Sequence, residues 1–536
     1  MNNKLESVYT NIINEKKENI KKTSYNKIHK YWSRKPSHIV QKYITKYSEI
    51  GDTILDPFCG SGIVGLESII SNRNFIGSDI NPISLLISQV TLDNNLDFDK
   101  ISNIYEKKFK IFKERINNYY TTDYHCIECK KQLSIKYIGI GPKFEDSLPV
   151  RLYCPTCEKK TCEKNVFFNK EEYNYFYPAE NILEEDIKWI PSSNFPKKFM
   201  KDRFSYKGVS KVTDMYTKRN LVSLSLILDE IKKLPNDEKN FFLVAFTNTV
   251  LHSSKLKGIN IRPLGVNNYW IPDDYIEENV WFRFEDRFKI LLKTKKEIKN
   301  EYLMKNANGN FTLKKIAAED LELTNRIDYI FTDPPYGDAI QYSELSFMWN
   351  AWINESVDIN KEVIINPKQN KGSEEFKNLF EASINNISKL LKVNGYFTLC
   401  FQNKEFSVWK DIIGVFKNNN FKLIDINIHD TLGNSFNKSW SKFSPKTDIY
   451  LTFQKVETVF QIDSNSDPIE ESINNILVEI IKFLNEKEKI ITPQMVYDLT
   501  VAILISNYFE NENYILKENF TIKEFNNLII KLMGKE

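Results

Sequence analysis

An excess of charge of either sign is missing from this chain. Lys and Arg number 74 and Asp and Glu 71, so 536 residues carry a net +3. So even a balance excludes a polycation of the histone or ribosomal kind, and any surface for nucleic acid must be local. Long apolar runs are missing as well. No uncharged stretch approaches the roughly 18 residues a membrane span needs, and even Ile476 to Leu484 is interrupted by Glu479 and Lys482. The first residues, MNNKLESVYT, contain no apolar core of a signal peptide, so secretion is not expected. Seven cysteines are too few for a disulfide framework. These absences point to a cytoplasmic protein with reduced thiols. What remains is the composition of an ordinary globular protein, 41% hydrophobic and 27% charged, with length for three or four domains at about 150 residues each.

The first strand-and-helix pattern is compact. Thr53 to Asp56 reads as a short apolar strand, Pro57 to Gly62 as a glycine-rich turn, and Ile63 to Ile70 as a helix. Phe75 to Asp79 is a second strand ending in an acid, and Asn81-Pro82 opens another helix. This is the first half of a doubly wound sheet. The alternation stops at about residue 95 and resumes at about Lys314, with the strand Ile327 to Thr332, the helix Phe376 to Leu391 and a turn at Asn394-Gly395. The strand Tyr396 to Phe401, the helix Ser407 to Lys417 and the strands Phe421 to Ile428 and Asp448 to Phe453 follow, the last two as an antiparallel closing pair. The fold class expected is therefore α/β with a Rossmann-like doubly wound sheet. Four regions are predicted: 1–95, an insert 96–310, a second half of the sheet 311–455, and a helical extension 456–536.

Three motifs carry chemistry. In Asp56-Pro57-Phe58-Cys59-Gly60-Ser61-Gly62 an acid ends the strand before the turn. It would repel a pyrophosphate and suits a cationic α-amino group. Asp79 stands 17 residues beyond Gly62, where a carboxylate can accept two ribose hydroxyls. Together these favour S-adenosylmethionine over NAD as the cofactor. Asp333-Pro334-Pro335-Tyr336 follows an apolar strand, and its prolines leave carbonyls free. A carboxylate and a carbonyl that each accept one hydrogen of an aromatic exocyclic amine localise its lone pair for methyl transfer. Tyr336 can stack on a base turned out of a duplex. Cys126-x-x-Cys129 and Cys154-x-x-Cys157, with 24 residues between the pairs, fit four thiolates around a structural Zn²⁺ within 122–165. Free thiols or a redox pair are the alternatives, and Cys162 and His125 are near enough to replace a ligand. Two basic segments are candidates for phosphate contact: Lys198, Lys201, Arg203, Lys207, Lys211 and Arg219, interleaved with aromatics, and Lys255 with Lys257. Each could equally be a solvated face.

DPFCGSG followed by DPPY resembles the amino-group S-adenosylmethionine-dependent DNA methyltransferases. HKYWSRKP, the cysteine pairs and DPPYGDAIQYSEL are similar to the bacterial zinc-ribbon-containing adenine-specific DNA methylases. The resemblance covers about 1–95 and 310–455. It implies that Asp56, Pro57, Phe58, Gly60, Gly62, Asp79 and Ile80 hold the cofactor, with Trp32, Ser33, Lys35 and Pro36 over its methionine end. Asp333 to Tyr336 would hold the target base. The order of motifs implies a target-recognition region in the insert, containing the zinc ribbon. Where the family has a small residue and an acid, this chain reads Ile316-Ala317-Ala318-Glu319-Asp320, and Asp320, with Glu319 as the alternative, is the candidate contact to the cofactor. Duplex DNA is the implied substrate, a restriction-modification or defence system the implied setting, and a protein of such a system a possible partner. Cytosine-N4 and RNA-base methylation are the competing activities.

Overall fold

A computed structural model describes residues 4–6, 8–9, 24–176, 186–197, 199, 208–264, 269–403, 406–430, 447–457, 469–488, 491–510, 514–516 and 522–534. β1 (Thr53–Asp56) and β2 (Asn74–Asp79) precede an insert that carries β3 (Thr121–His125), β4 (Gln132–Ile140), β5 (Leu148–Tyr153), β6 (Lys164–Phe168) and β7 (Tyr275–Glu278). After it come β8 (Phe311–Lys315), β9 (Ile327–Thr332), β10 (Leu391–Phe401), β11 (Phe421–Asp430) and β12 (Thr447–Lys455). β13 (Ile469–Glu471) and β14 (Tyr514–Leu516) form a separate parallel pair in the tail.

The main sheet runs β11-β12-β10-β9-β1-β2-β8. β12 is antiparallel to both its neighbours, while β8, β2, β1, β9 and β10 pair in parallel. The chain leaves β1 toward β2 and β8 on one side and toward β9 and β10 on the other. The boundary between β1 and β9 is thus the topological switch point, where strand-end loops open a crevice. This is the Rossmann-like sheet expected from the sequence, with its closing antiparallel strand.

The inner strands are apolar on both faces, as parallel strands covered on both sides must be. Successive side chains alternate between two cores. Ile54, Tyr329, Phe331 and Cys400 join the core shared with the insert, and Leu55, Ile330, Leu399 and Phe401 the opposite one. Helices Ser37–Tyr47, Ile63–Ile70 and Pro82–Leu92 cover the first face, and Ser373–Leu390 and Phe406–Asn418 the second. The turn expected at Asn394-Gly395 is instead an irregularity within β10, where the register with β9 shifts between Leu391 and Tyr396. Asn394 takes φ +66° there.

Helix Pro493–Glu510 buries every residue from Val496 to Ile505, as a helix apolar all round must. The Tyr497 hydroxyl donates to the Asn403 carbonyl at 2.9 Å, and Phe453 of β12 meets Phe509. With Ile473–Lys487 and Ile522–Leu532 it forms a further layer on the second core, which Leu5, Val8 and Tyr9 join, Tyr9 against Phe483. The tail is thereby part of the packed body.

The insert combines the long helices Lys218–Lys232, Asn236–His252 and Val280–Met304 with the antiparallel sheet β3-β4-β5-β6, to which β7 adds against β4. β7 is the tie between the two parts. Its Glu277 accepts from the Arg219 guanidinium at 2.7 and 2.6 Å, and both side chains are 1% exposed. Glu278 beside it takes Lys257 at 2.6 Å and Arg283 at 2.8 Å. A buried bidentate pair is strongly destabilising to break from one side, because the remaining charge is left without a partner. Arg219→Met should therefore cost about 3–5 kcal/mol of folding stability. Its urea midpoint against the wild type measures this, and an unchanged midpoint would refute the assignment.

Candidate active site and metal centre

The loop after β1 owes its shape to two glycines. Gly60 (φ +50°) and Gly62 (φ +80°) occupy left-handed conformations that L side chains rarely adopt. A Cβ on Gly60 would also stand 3.1 Å from the Tyr31 ring, and one on Gly62 2.9 Å from Ser88 Oγ. The loop is braced from β2: Asp79 accepts from Gly60 N at 3.0 Å, Asn81 N at 2.9 Å and Ser84 Oγ at 2.7 Å. With so much of its acceptor capacity engaged, Asp79 would meet ribose hydroxyls in competition with its own loop.

The cavity at this switch point is lined by the β1 and β2 loops, by Tyr31 to Lys35 crossing above, by Ile316 to Ala318 after β8, and by Asp333 and Pro335 after β9. The two motif loops share one sheet end because β1 and β9 are parallel neighbours, with Ile54 opposite Tyr329 and Leu55 opposite Ile330. Thr332 Oγ1 donates to Asp56 Oδ1 at 2.8 Å and so links the two strand ends directly.

The electrostatics of the cavity are unusual for an interior. Burial, with Asp333 and Asp79 nearby, pushes the Asp56 carboxyl up to about 7, although Thr332 and the Phe58 amide bond it. Burial raises Asp79 also. Among the described residues neither acid has a Lys or Arg paired with it. Arg34 is the converse, a lining cation with no carboxylate against it among the described residues. Its Nε donates to Ser61 Oγ at 3.0 Å, its Nη2 to the His29 carbonyl at 2.6 Å, and burial brings it down to about 10. The buried Trp32 Nε1 has no hydrogen-bond partner among the described residues. Unpaired charges of both signs, an orphaned N–H and an apolar wall of Phe58, Ile80 and Ala317 fit a zwitterionic ligand with an aromatic end, as S-adenosylmethionine is. The HKYWSRKP resemblance places the Trp32 to Pro36 segment over the methionine end but gives Arg34 no role of its own.

At the β9 end Asp333 is 20% exposed on its side chain. Lys35 Nζ lies 3.3 Å from Asp333 Oδ1 and 3.0 Å from Asp448 Oδ2, and donates to the Tyr336 hydroxyl at 2.7 Å. That hydroxyl donates in turn to Asp333. Burial pushes Asp333 up to about 6 against the pull of Lys35, and the two acids overcome burial to hold Lys35 well above the usual lysine range. Tyr336 is turned inward, edge-on to Phe401, with the Lys35 ammonium 5.1 Å from its ring centroid. Stacking on an extruded base therefore competes with these contacts. Asp448, at the start of β12, was not foreseen. An antiparallel strand begins where its parallel neighbours end, and β12 pairs Ile449 with Phe401, so its first acid falls among the strand-end loops.

Other expected site residues lie elsewhere. Asp320 is 49% exposed and pairs with Lys361 at 3.1 Å, outside the cavity that Ala317 and Ala318 line. Pro36 and Gly62 cap helices Ser37–Tyr47 and Ile63–Ile70 and do not line the cavity, and Pro334 is buried behind Asp333. Among the basic candidates Arg219 and Lys257 are committed to Glu277 and Glu278, and Lys255 donates to the Asp214 carbonyl at 2.8 Å, so none of these three is a free phosphate contact. Lys211 is exposed, and Lys198, Lys201, Arg203 and Lys207 fall outside the described residues.

The four cysteines of the two pairs converge. Cys126 and Cys157 sulfurs are 3.9 Å apart, Cys129 and Cys154 3.6 Å, and all four lie within 4.8 Å of one another. A tetrahedron with zinc–sulfur bonds of about 2.3 Å has edges of about 3.8 Å, far from a disulfide's roughly 2 Å. Each pair sits in a tight turn closed by the residue after it, Lys130 at φ +61° and Glu158 at φ +53°. Lys130 N bonds the Cys126 carbonyl at 3.1 Å and Glu158 N the Cys154 carbonyl at 3.0 Å. The cluster is compatible with a structural zinc site. Cys162 joins Glu128 and Cys157 in a second grouping beside it. Metal analysis is expected to find about one zinc per chain, with chelation lowering the melting temperature. A metal-free protein with an unchanged melting temperature would eliminate the site.

Residues 2–89 match the family model described as DNA methylase. Among curated proteins, the chain is 23% identical over 367 residues to the type II methyltransferase M.MjaII of Methanocaldococcus jannaschii, covering 64% of each chain. It is 27% identical over 154 residues to the type II methyltransferase M.MthZI of Methanothermobacter thermautotrophicus, 28% of this chain and 37% of that one. It is 30% identical over 78 residues to the DNA adenine methyltransferase YhdJ of Escherichia coli, 14% of this chain and 26% of that one. The chain thus spans just under two thirds of the length of the first of these relatives. The resemblance to the DNA methyltransferases read from the motifs is borne out by these matches, which do not bear on its zinc-ribbon part. Among the described residues no helix is long and apolar enough to cross a membrane.

Proposed function

We propose that this chain transfers a methyl group from S-adenosylmethionine to the exocyclic N6 amine of an adenine turned out of duplex DNA. The observation that carries the reading is the cavity at the switch point, whose unpaired Asp56, Asp79 and Arg34 end at the Asp333 carboxylate of the adjoining strand. When bound, the cofactor supplies a methyl group made electrophilic by a sulfonium. Asp56 would take the cationic amino end, Arg34 and the Trp32 N–H the carboxylate, and Phe58 and Ile80 the adenine ring. Asp333 and a proline carbonyl after β9 would each accept one N–H of the target amine, which returns its delocalised lone pair to nitrogen. Holding the two reactants on adjacent strand ends lowers the entropic barrier, and the fixed carboxylate would stabilise the positive charge that develops on the amine as its bond to the methyl forms and the methyl–sulfonium bond breaks. S-adenosylhomocysteine would leave, and the amine's extra proton would pass to solvent. No covalent enzyme intermediate is involved. Base extrusion is needed because the amine is out of reach inside a duplex.

The relatives, two type II methyltransferases and a DNA adenine methyltransferase, support DNA as substrate and adenine as the base, and a restriction-modification role fits them. The cysteine cluster, which does not line the cavity, would hold zinc as a framework. Purified protein given duplex DNA and labelled S-adenosylmethionine should yield N6-methyladenine in a nucleoside digest. Methylation confined to cytosine or to RNA would refute the substrate. Asp333→Asn should lower kcat by about 100-fold or more while leaving cofactor affinity within a few-fold. Parallel loss of both would contradict that division of roles. Arg34→Leu should weaken cofactor binding by about 10- to 100-fold, the worth of one charge-assisted contact, and unchanged binding in calorimetry would remove it from the carboxylate end. Because the amine must meet an ionised Asp333, and that carboxyl titrates near 6, transfer should fall as pH drops through about 6. A rate constant level down to pH 4.5 would exclude this ionisation.

A further inference from the structure

We propose that Lys35 is a positioning residue for the transfer step, its ammonium tying Asp333, Tyr336 and Asp448 into one cluster that keeps the base-holding carboxylate ionised and aimed. This rests on the methyltransferase reading and refines it. The resemblance places Lys35 at the cofactor; the geometry points to the catalytic loop. Lys35 is 5% exposed, and its three partners come from two places far apart in the chain: Asp333 and Tyr336 after β9, Asp448 at the start of β12. A buried ammonium needs compensating acids, and here the acids lie 3.0 and 3.3 Å away. Arg34, the preceding residue, turns the other way, to Ser61 on the β1 loop. Adjacent cations in an extended segment thus serve the two halves of the crevice.

The cluster has a function that neither acid could supply alone. Asp333 faces Lys35, Tyr336, Asp448, Tyr342, Cys400 and Tyr450, with Asp56 across the crevice and His429 behind Asp448. Of these, Lys35 is the cation that favours its ionised form. Asp448 opposes it, so Asp448 acts by fixing Lys35 and at the same time raises the tendency of Asp333 to take a proton. Removing either one therefore shifts Asp333 in opposite directions.

The test is the pH profile of kcat with saturating duplex DNA and S-adenosylmethionine, measured on full-length protein. Lys35→Met should lower kcat by about 100-fold and move the acid limb to higher pH by about 1–3 units, with cofactor affinity within about three-fold of wild type. Asp448→Asn should move the same limb to lower pH. Unshifted limbs in both variants would overturn the proposal, as would a Lys35→Met protein that loses cofactor affinity in step with kcat. If Lys35→Met does not fold, Asp448→Asn decides, and an upward or absent shift refutes the role. A wild-type protein that binds S-adenosylmethionine yet methylates no nucleic acid would instead be a failure of the methyltransferase reading.

Discussion

The pairing of β1 with β9 is the contact on which the rest depends. More than 270 residues separate Asp56 from Thr332, yet a 2.8 Å hydrogen bond joins them. Because the two strands run parallel, their loops leave the sheet at the same end. Because they flank the switch point, those loops diverge and leave a crevice between them. Had the strands been antiparallel, the glycine loop and the Asp-Pro-Pro-Tyr loop would lie on opposite sheet ends and no single ligand could meet both.

The segment from Tyr31 to Lys35 completes the crevice from above. Tyr31 packs on Gly60, Trp32 joins Tyr342 and Trp349, Arg34 reaches the β1 loop and Lys35 the β9 loop. Charge is distributed unevenly through it. Lys35 is neutralised twice, while Arg34, Asp56 and Asp79 are left without counter-charges among the described residues. A fold does not keep unpaired charges in a half-buried cavity for stability, since desolvation opposes them. They are what a zwitterionic ligand would satisfy.

The insert shows the opposite use of charge. Arg219 with Glu277, and Lys257 and Arg283 with Glu278, lock a short strand between the cysteine-bearing sheet and the helices. Cations that read in sequence as a basic face are thereby consumed in the interior. The residue types are those of a phosphate-binding patch, and only the acids on β7 reverse the meaning. Those acids lie 58 residues beyond Arg219 and 21 beyond Lys257, in a strand whose four residues give no periodic signal.

The amino-acid order alone determined the β-α alternation, the position of both strand-end motifs and the pairing of the cysteines into two turns. These are local properties: apolar runs bounded by glycine, proline and acids, and ligands spaced within a few residues. Even the inner strands were legible, because burial on both faces demands unbroken apolar stretches. What only the tertiary structure decided are the partnerships across long separations. Lys35 with Asp333 and Asp448, Arg219 with Glu277, and Asp320 with Lys361 depend on which strand edges and helix faces meet. A side chain's charge is written in the sequence, but the group that answers it is chosen by packing, and in an interior of low polarity that choice decides whether the charge holds the fold or serves the site.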